Sequence, residues 1–137
     1  MGVAFAALVV LPQLAAFESL ALFLLRVWLA LVFATSGWSH VTRPRERAES
    51  IGMSPAFTAG LGVVELAGAA LLVLGILTRV GALLLIGVML GAIYKKIFVW
   101  ETGLWGEEGS LGWYYDALYL IGNLVVLATG GGTWTLA

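Results

Sequence analysis

Nine side chains in this sequence could carry chemistry: Arg26, His40, Glu65, Lys95, Lys96, Tyr115, Asp116, Tyr119 and Asn123. Each falls inside or at the edge of a long apolar run. Glu65 is the sole charge between Ala56 and Leu77, and Arg26 holds the same place between Leu20 and Trp38. An ionisable group at membrane depth costs roughly 2.5 to 3.5 kcal/mol on insertion scales, so two of opposite sign on neighbouring spans should pair. Arg26 lies roughly 21 Å of helix below His40, and Glu65 roughly 13 Å below Ala56. An arginine side chain can span the mismatch of about 7 Å. The spacing therefore predicts a buried Arg26–Glu65 ion pair. Its role is either a clamp that fixes helix register or a ligand or proton site.

The other candidates gather near span ends. Asp116, Tyr119 and Asn123 share a helix face, and whichever of Lys95 and Lys96 faces inward would pair with Asp116. The other lysine would snorkel to the headgroups. Tyr119 and Asn123 read as interhelical polar contacts. His40, beside Arg43, reads as an interfacial histidine, with a proton relay as the sharper alternative. Arg26, Phe33, Gly37 and His40 share one face, and Leu61, Glu65, Gly68 and Leu72 another, so a polar seam inside a bundle would shield these groups from lipid. No nucleophile with its base, metal-ligand cluster or phosphate loop occurs. No catalytic residue and no metal site are predicted.

Four elements must position these groups. Apolar runs over about 17–41, 56–77, 80–100 and 113–129 are long or apolar enough to span a bilayer. Thr78-Arg79 alone would join the second to the third. The fold class expected is all-α, an integral membrane antiparallel four-helix bundle in a single membrane domain over 1–137. Residues 1–16 form an apolar N-terminal segment broken by Pro12 and Gln13. Without a Lys or Arg before Arg26, this segment reads as interfacial or as an extension of the first span rather than as a secretory signal. Gly87-xxx-Gly91 is expected to pack inside the bundle rather than against a second copy. The run Thr129-Gly130-Gly131-Gly132-Thr133 reads as a helix stop and flexible exit.

Composition agrees. The chain is 61% hydrophobic and 11% charged, against about 25% charge in soluble domains. Its net charge of −1 gives no reason to expect a nucleic-acid partner. With no cysteine and one histidine, the chain offers no thiol chemistry, no iron–sulfur ligation and no pair of axial haem ligands. No covalently bound cofactor is expected, so redox chemistry would belong to a bound molecule or a partner. Arg43, Arg45 and Arg47, with Lys95 and Lys96, outweigh Arg79 on the other side. This bias puts loops 42–55 and 101–112 in the cytoplasm and the termini outside. Trp38, Trp100, Trp105 and Trp113 would form an aromatic belt at the cytoplasmic face.

These residues, taken together, carry a resemblance. Leu25-Arg26, Ser36-Gly37-Trp38-Ser39-His40, Glu65-Leu66-Ala67-Gly68, Leu74-Gly75 and Thr78-Arg79 open it. Lys95 to Trp100, Thr102 to Gly106, Gly112-Trp113-Tyr114-Tyr115-Asp116 and Asn123-Leu124 complete it. Over about Leu20 to Gly132 the chain resembles the DoxX family of small four-span membrane proteins. Members that look similar often carry lysine where His40 stands and histidine where Tyr114 stands.

The resemblance implies a subunit of the bacterial inner membrane, linked to quinone-dependent or sulfur and oxidative-stress oxidoreductases. Relatives include membrane subunits of thiosulfate:quinone oxidoreductase. Expected partners are membrane lipid and other protein subunits or further copies of the chain. Non-catalytic by itself, it would dock or support such a complex. Lys95, Lys96, Tyr115, Asp116 and His40 would form a quinone or ligand site. The alternatives are a structural or assembly subunit, or a small transporter.

Overall fold

The computed structural model describes residues 12–107 and 110–136. Helix α1 runs Glu18–Thr42, entered through a 3-10 turn at Pro12–Phe17. The rest of the expected N-terminal apolar segment lies outside the described residues. A short helix α2, Pro44–Ile51, follows at once, and α3 runs Pro55–Leu74. Helix α4, Thr78–Tyr94, continues as a π-helical turn over Lys95–Val99. A two-stranded ribbon pairs β1, Gly106–Glu107, with β2, Ser110–Leu111. Helix α5, Tyr114–Thr129, comes last.

The helices form an antiparallel bundle in which α1 packs on α3, α3 on α4, α4 on α5, and α5 touches α1. The stretches Gln13–Thr42, Pro55–Leu74 and Thr78–Val99 are long and apolar enough to cross a membrane. Helix α5 has 16 residues, roughly 24 Å, short against a hydrocarbon core of about 30 Å. The burial pattern is inverted relative to a water-soluble bundle. Trp28, Val63, Leu83 and Leu118 face outward, while Arg26, His40, Glu65, Asp116 and Asn123 are buried. Such an arrangement suits hydrocarbon outside and polar groups paired within. Leu29, Phe33, Leu72, Leu85 and Val126 pack the core between them.

Local chemistry sets the ends. Pro44 supplies the first turn of α2, and Ser54 caps α3 by accepting from the Phe57 amide at 3.1 Å. Helix α3 stops at Leu74 rather than Leu77, and Thr78 and Arg79 belong to the first turn of α4. The joint is therefore Gly75–Leu77 instead of Thr78-Arg79. The hydroxyls of Thr35 within α1 and of Thr42 and Thr129 at the ends of α1 and α5 donate to carbonyls four residues back, which keeps them satisfied without water.

Close helix approach comes from glycines other than the pair expected. A Cβ at Gly37 would meet the Gly62 carbonyl oxygen at 2.8 Å, and one at Gly62 would meet the Gly37 oxygen at 2.7 Å. Only glycine at both positions lets α1 and α3 touch backbone to backbone. Gly87 and Gly91 face outward with nothing within 4 Å of an added Cβ, so internal packing is not their role.

Candidate functional site

The nine candidate residues do not converge on one site. Six of them divide among a buried His–Glu pair, a lysine–aspartate–tyrosine cluster and an arginine that holds main-chain carbonyls, and Lys95, Tyr119 and Asn123 stand outside these groups.

The Gly37–Gly62 contact places His40 and Glu65 opposite one another. His40 Nδ1 lies 2.8 Å from Glu65 Oε1, and both residues are almost wholly buried. The approach has ion-pair distance but not hydrogen-bond alignment, so Oε1 has no aligned donor. Ser36 Oγ lies 3.5 Å from the same ring nitrogen. On the other side of the ring, Arg47 of α2 reaches Nε2 at 3.4 Å. A guanidinium can only donate, so Nε2 is the acceptor of that contact.

This geometry corrects the expected Arg26–Glu65 pair. Arg26 is 1% exposed, but its guanidinium donates to the Leu72 carbonyl at 3.0 Å and to the Trp134 carbonyl. Glu65 lies seven residues before Leu72, roughly 10 Å away along α3. The two residues would meet only if the span ends were level. Arg26 instead stands level with the last turn of α3, whose carbonyls have no helical partner and attract a cation.

The tail completes this latch. It is held in place rather than being a flexible exit. Leu136 N donates to Gly75 O at 3.0 Å, Ser19 Oγ and Thr133 Oγ1 are 2.8 Å apart, and Thr78 Oγ1 donates to Gly130 O. Gly131, at φ 87°, lies so close to Arg26 that a Cβ would sit 2.6 Å from the arginine Cδ. Arg79 plays the same part for α5, donating to Leu127 O at 3.0 Å. Two arginines thus cap two helix C-termini at one end of the bundle.

At the opposite end, the π turn separates the two lysines. Trp100 N donates to Lys95 O, the five-residue spacing of a π helix. Lys95 Nζ turns to the end of α2, donating to Ile51 O at 3.1 Å and Gly52 O at 3.3 Å. Lys96 Nζ turns to α5, 2.7 Å from Asp116 Oδ2 and 2.5 Å from the Tyr115 hydroxyl, with Asp116 buried and Lys96 partly so. It also lies 3.9 Å from the Tyr115 ring centroid. Neither Lys95 nor His40 joins this cluster through a hydrogen bond or ion pair among the described residues.

Tyr115 packs edge-on to Tyr119, which packs edge-on to Phe33 of α1. Tyr119 is therefore an aromatic contact between helices. Asn123 is not the interhelical donor expected: its amide donates to Tyr119 O at 2.9 Å on its own helix, and its Oδ1 has no partner. Sequence reading missed Arg47. A signal existed, since an eight-residue helix starting at Pro44 and stopped by Gly52 brings position 47 back over the end of α1.

Chemically, a lysine ammonium has three donors. Lys96 directs one at the Tyr115 hydroxyl and lies at ion-pair distance from Asp116 Oδ2 without hydrogen-bond alignment, and the Tyr115 hydroxyl, having accepted, still has its own proton to give. Donors on Lys96 and Tyr115 therefore remain for an acceptor oxygen. That donor set suits a neutral acceptor such as a carbonyl oxygen. No group of three or more His, Cys, Asp or Glu that could hold a metal occurs among the described residues.

Comparison with known proteins finds one family and a membrane-protein relative. A family described as DoxX matches residues 21–100. Uncharacterized membrane protein Rv3486 of Mycobacterium tuberculosis is 36% identical over 124 residues, covering 82% of this chain and 76% of that protein. No solved structure matches. The matched stretch carries Arg26, His40, Glu65, Lys95 and Lys96 on the helices just described, and this integral membrane protein belongs to the DoxX family.

Proposed function

We propose that this chain is a membrane subunit, non-catalytic by itself, that docks or supports a quinone-linked oxidoreductase in a bacterial cytoplasmic membrane. In this reading α2 and the 101–112 loop face the cytoplasm, as the lysine and arginine bias suggests. One observation carries it: Lys96, largely withdrawn from the surface, lies against buried Asp116 and Tyr115, with donors left over on Lys96 and Tyr115. A buried cation already paired with its carboxylate can bind a neutral acceptor without leaving a naked charge in the membrane. Lys96 and Tyr115 would hold the head group, Asp116 would keep Lys96 in place, and apolar helix faces would hold the tail. His40 and Lys95, engaged elsewhere, are outside the proposed contact.

Quinone extraction from the purified protein, followed by titration with a short-chain quinone, tests this reading. Wild type and Lys95→Met should bind alike, and Lys96→Met and Tyr115→Phe should bind at least about fivefold more weakly. A wild-type protein that carries no quinone and takes none up would contradict it.

A structural or assembly role is the second reading. Arg26 favours it, because its guanidinium is turned to main-chain carbonyls rather than to a ligand. Under that reading Lys96→Met would alter stability alone.

A further inference from the structure

The outer face of α1 carries a groove of about 540 Å³ that lies outside the Lys96 cluster. Val32, Thr35, Trp38 and Ser39 line it along the helix, and Arg43 and Arg47 close it at the α1–α2 corner. We propose that this groove holds one anionic phospholipid, with its phosphate against Arg43 and Arg47 and the start of an acyl chain along Val32 and Thr35.

Charge and unfilled donors favour such an occupant. Arg47 makes no ion pair among the described residues, and one of its two terminal nitrogens makes the 3.4 Å contact to His40. Arg43 donates to Ser39 at 3.1 Å, and its contact with Glu46 is a loose, solvent-exposed 3.7 Å. The hydroxyl protons of Thr35 and Thr42 are committed to Leu31 O and Trp38 O. The strongest remaining donors in the groove are therefore guanidinium N–H groups, whose paired geometry matches phosphate oxygens.

Depth separates a lipid from a free anion. Val32 and Arg43 are eleven residues apart, roughly 16 Å of helix, so the groove runs from the headgroup level into hydrocarbon. Trp38, 64% exposed, sits between them, as interfacial tryptophans do. A phosphate ion would satisfy the arginine end and leave the apolar end empty, whereas a phospholipid fits both.

Arg45 supplies the control. It lies in the same basic loop and is exposed, but it does not line the groove. The purified protein in neutral detergent is titrated with phosphatidylglycerol, with phosphatidylcholine of the same chains, and with inorganic phosphate. Binding is followed by native mass spectrometry, and folding by thermal melting. Wild type should retain phosphatidylglycerol in preference to phosphatidylcholine, and phosphate should not displace it at equal concentration. Arg43→Gln and Arg47→Gln should each weaken phosphatidylglycerol binding about fivefold, equivalent to about 1 kcal/mol at 1.4 kcal/mol per tenfold. Arg45→Gln removes the same charge and should change binding by less than about twofold.

Three outcomes would overturn the proposal. Equal losses in Arg45→Gln and Arg47→Gln would mean diffuse attraction to the basic loop. Equal binding of the two lipids would mean annular lipid only. Displacement by phosphate would mean an ion site.

Discussion

His40 Nδ1 stands 2.8 Å from Glu65 Oε1 on two helices whose backbones touch at Gly37 and Gly62, one turn away on each. The contact is the reason a carboxylate can sit inside this bundle. An unpaired polar group in hydrocarbon costs far more than a paired one, and close helix approach brings the partner within reach.

Breaking the pair one residue at a time should therefore cost more than removing both. His40→Leu leaves a buried carboxyl group without its partner and should lower stability by about 2 kcal/mol. His40→Leu with Glu65→Leu should recover at least half of that loss. Unfolding in mixed detergent micelles measures both. A double variant whose loss is the sum of the two singles would show that the pair is not coupled.

Arg26 should behave as a latch for the tail rather than as the partner of Glu65. Arg26→Met removes two buried hydrogen bonds and should destabilise by about 2 kcal/mol. Hydrogen exchange at Leu136, whose amide is bonded to Gly75, should speed up at the same time. Combined with Glu65→Gln, the effects should add to within about 0.5 kcal/mol, as for separated sites. A coupling well above that would restore the direct pair.

The glycines offer a sharp contrast. Gly37→Ala or Gly62→Ala pushes a methyl against backbone oxygen that cannot turn aside, and should cost about 1–3 kcal/mol. Gly87→Ala and Gly91→Ala meet open space and should fall within about 0.5 kcal/mol of wild type, or stabilise through better helix propensity. The same unfolding assay decides it. Loss at Gly87 or Gly91 equal to that at Gly37 would point to a contact between copies of the chain.

Much of the fold was legible because apolar runs of bilayer length leave a chain few options. The partner choices were not. Two adjacent lysines facing different elements cannot be sorted by counting, since the π turn at Lys95–Val99 sets which one meets Asp116. Arg26 was assigned a carboxylate because side chains are visible in a sequence and unpaired helix-end carbonyls are not. Gly37 and Gly62 each stand three residues before a buried ionisable group, a signal as local as Gly87-xxx-Gly91 and more informative. The ordered tail depends on long-range bonds to Gly75, Ser19 and Arg26 that three consecutive glycines do not announce.

Lys96 and Asp116 should depend on each other as well. Asp116→Asn keeps the shape of the carboxyl group but removes the charge facing Lys96, and should lower stability by about 1–3 kcal/mol, with Lys96→Met beside it restoring part of the loss. If Asp116→Asn also weakens binding of a short-chain quinone while Glu65→Gln does not, the ligand contact lies at the Lys96 end of the seam.

The central claim is that this chain serves a quinone-linked complex. Purification from native membrane in a gentle detergent, with mass spectrometry of co-purifying proteins and extracted small molecules, tests it most directly. A stoichiometric oxidoreductase partner together with bound quinone is the predicted result. A clean homo-oligomer carrying lipid alone would contradict it.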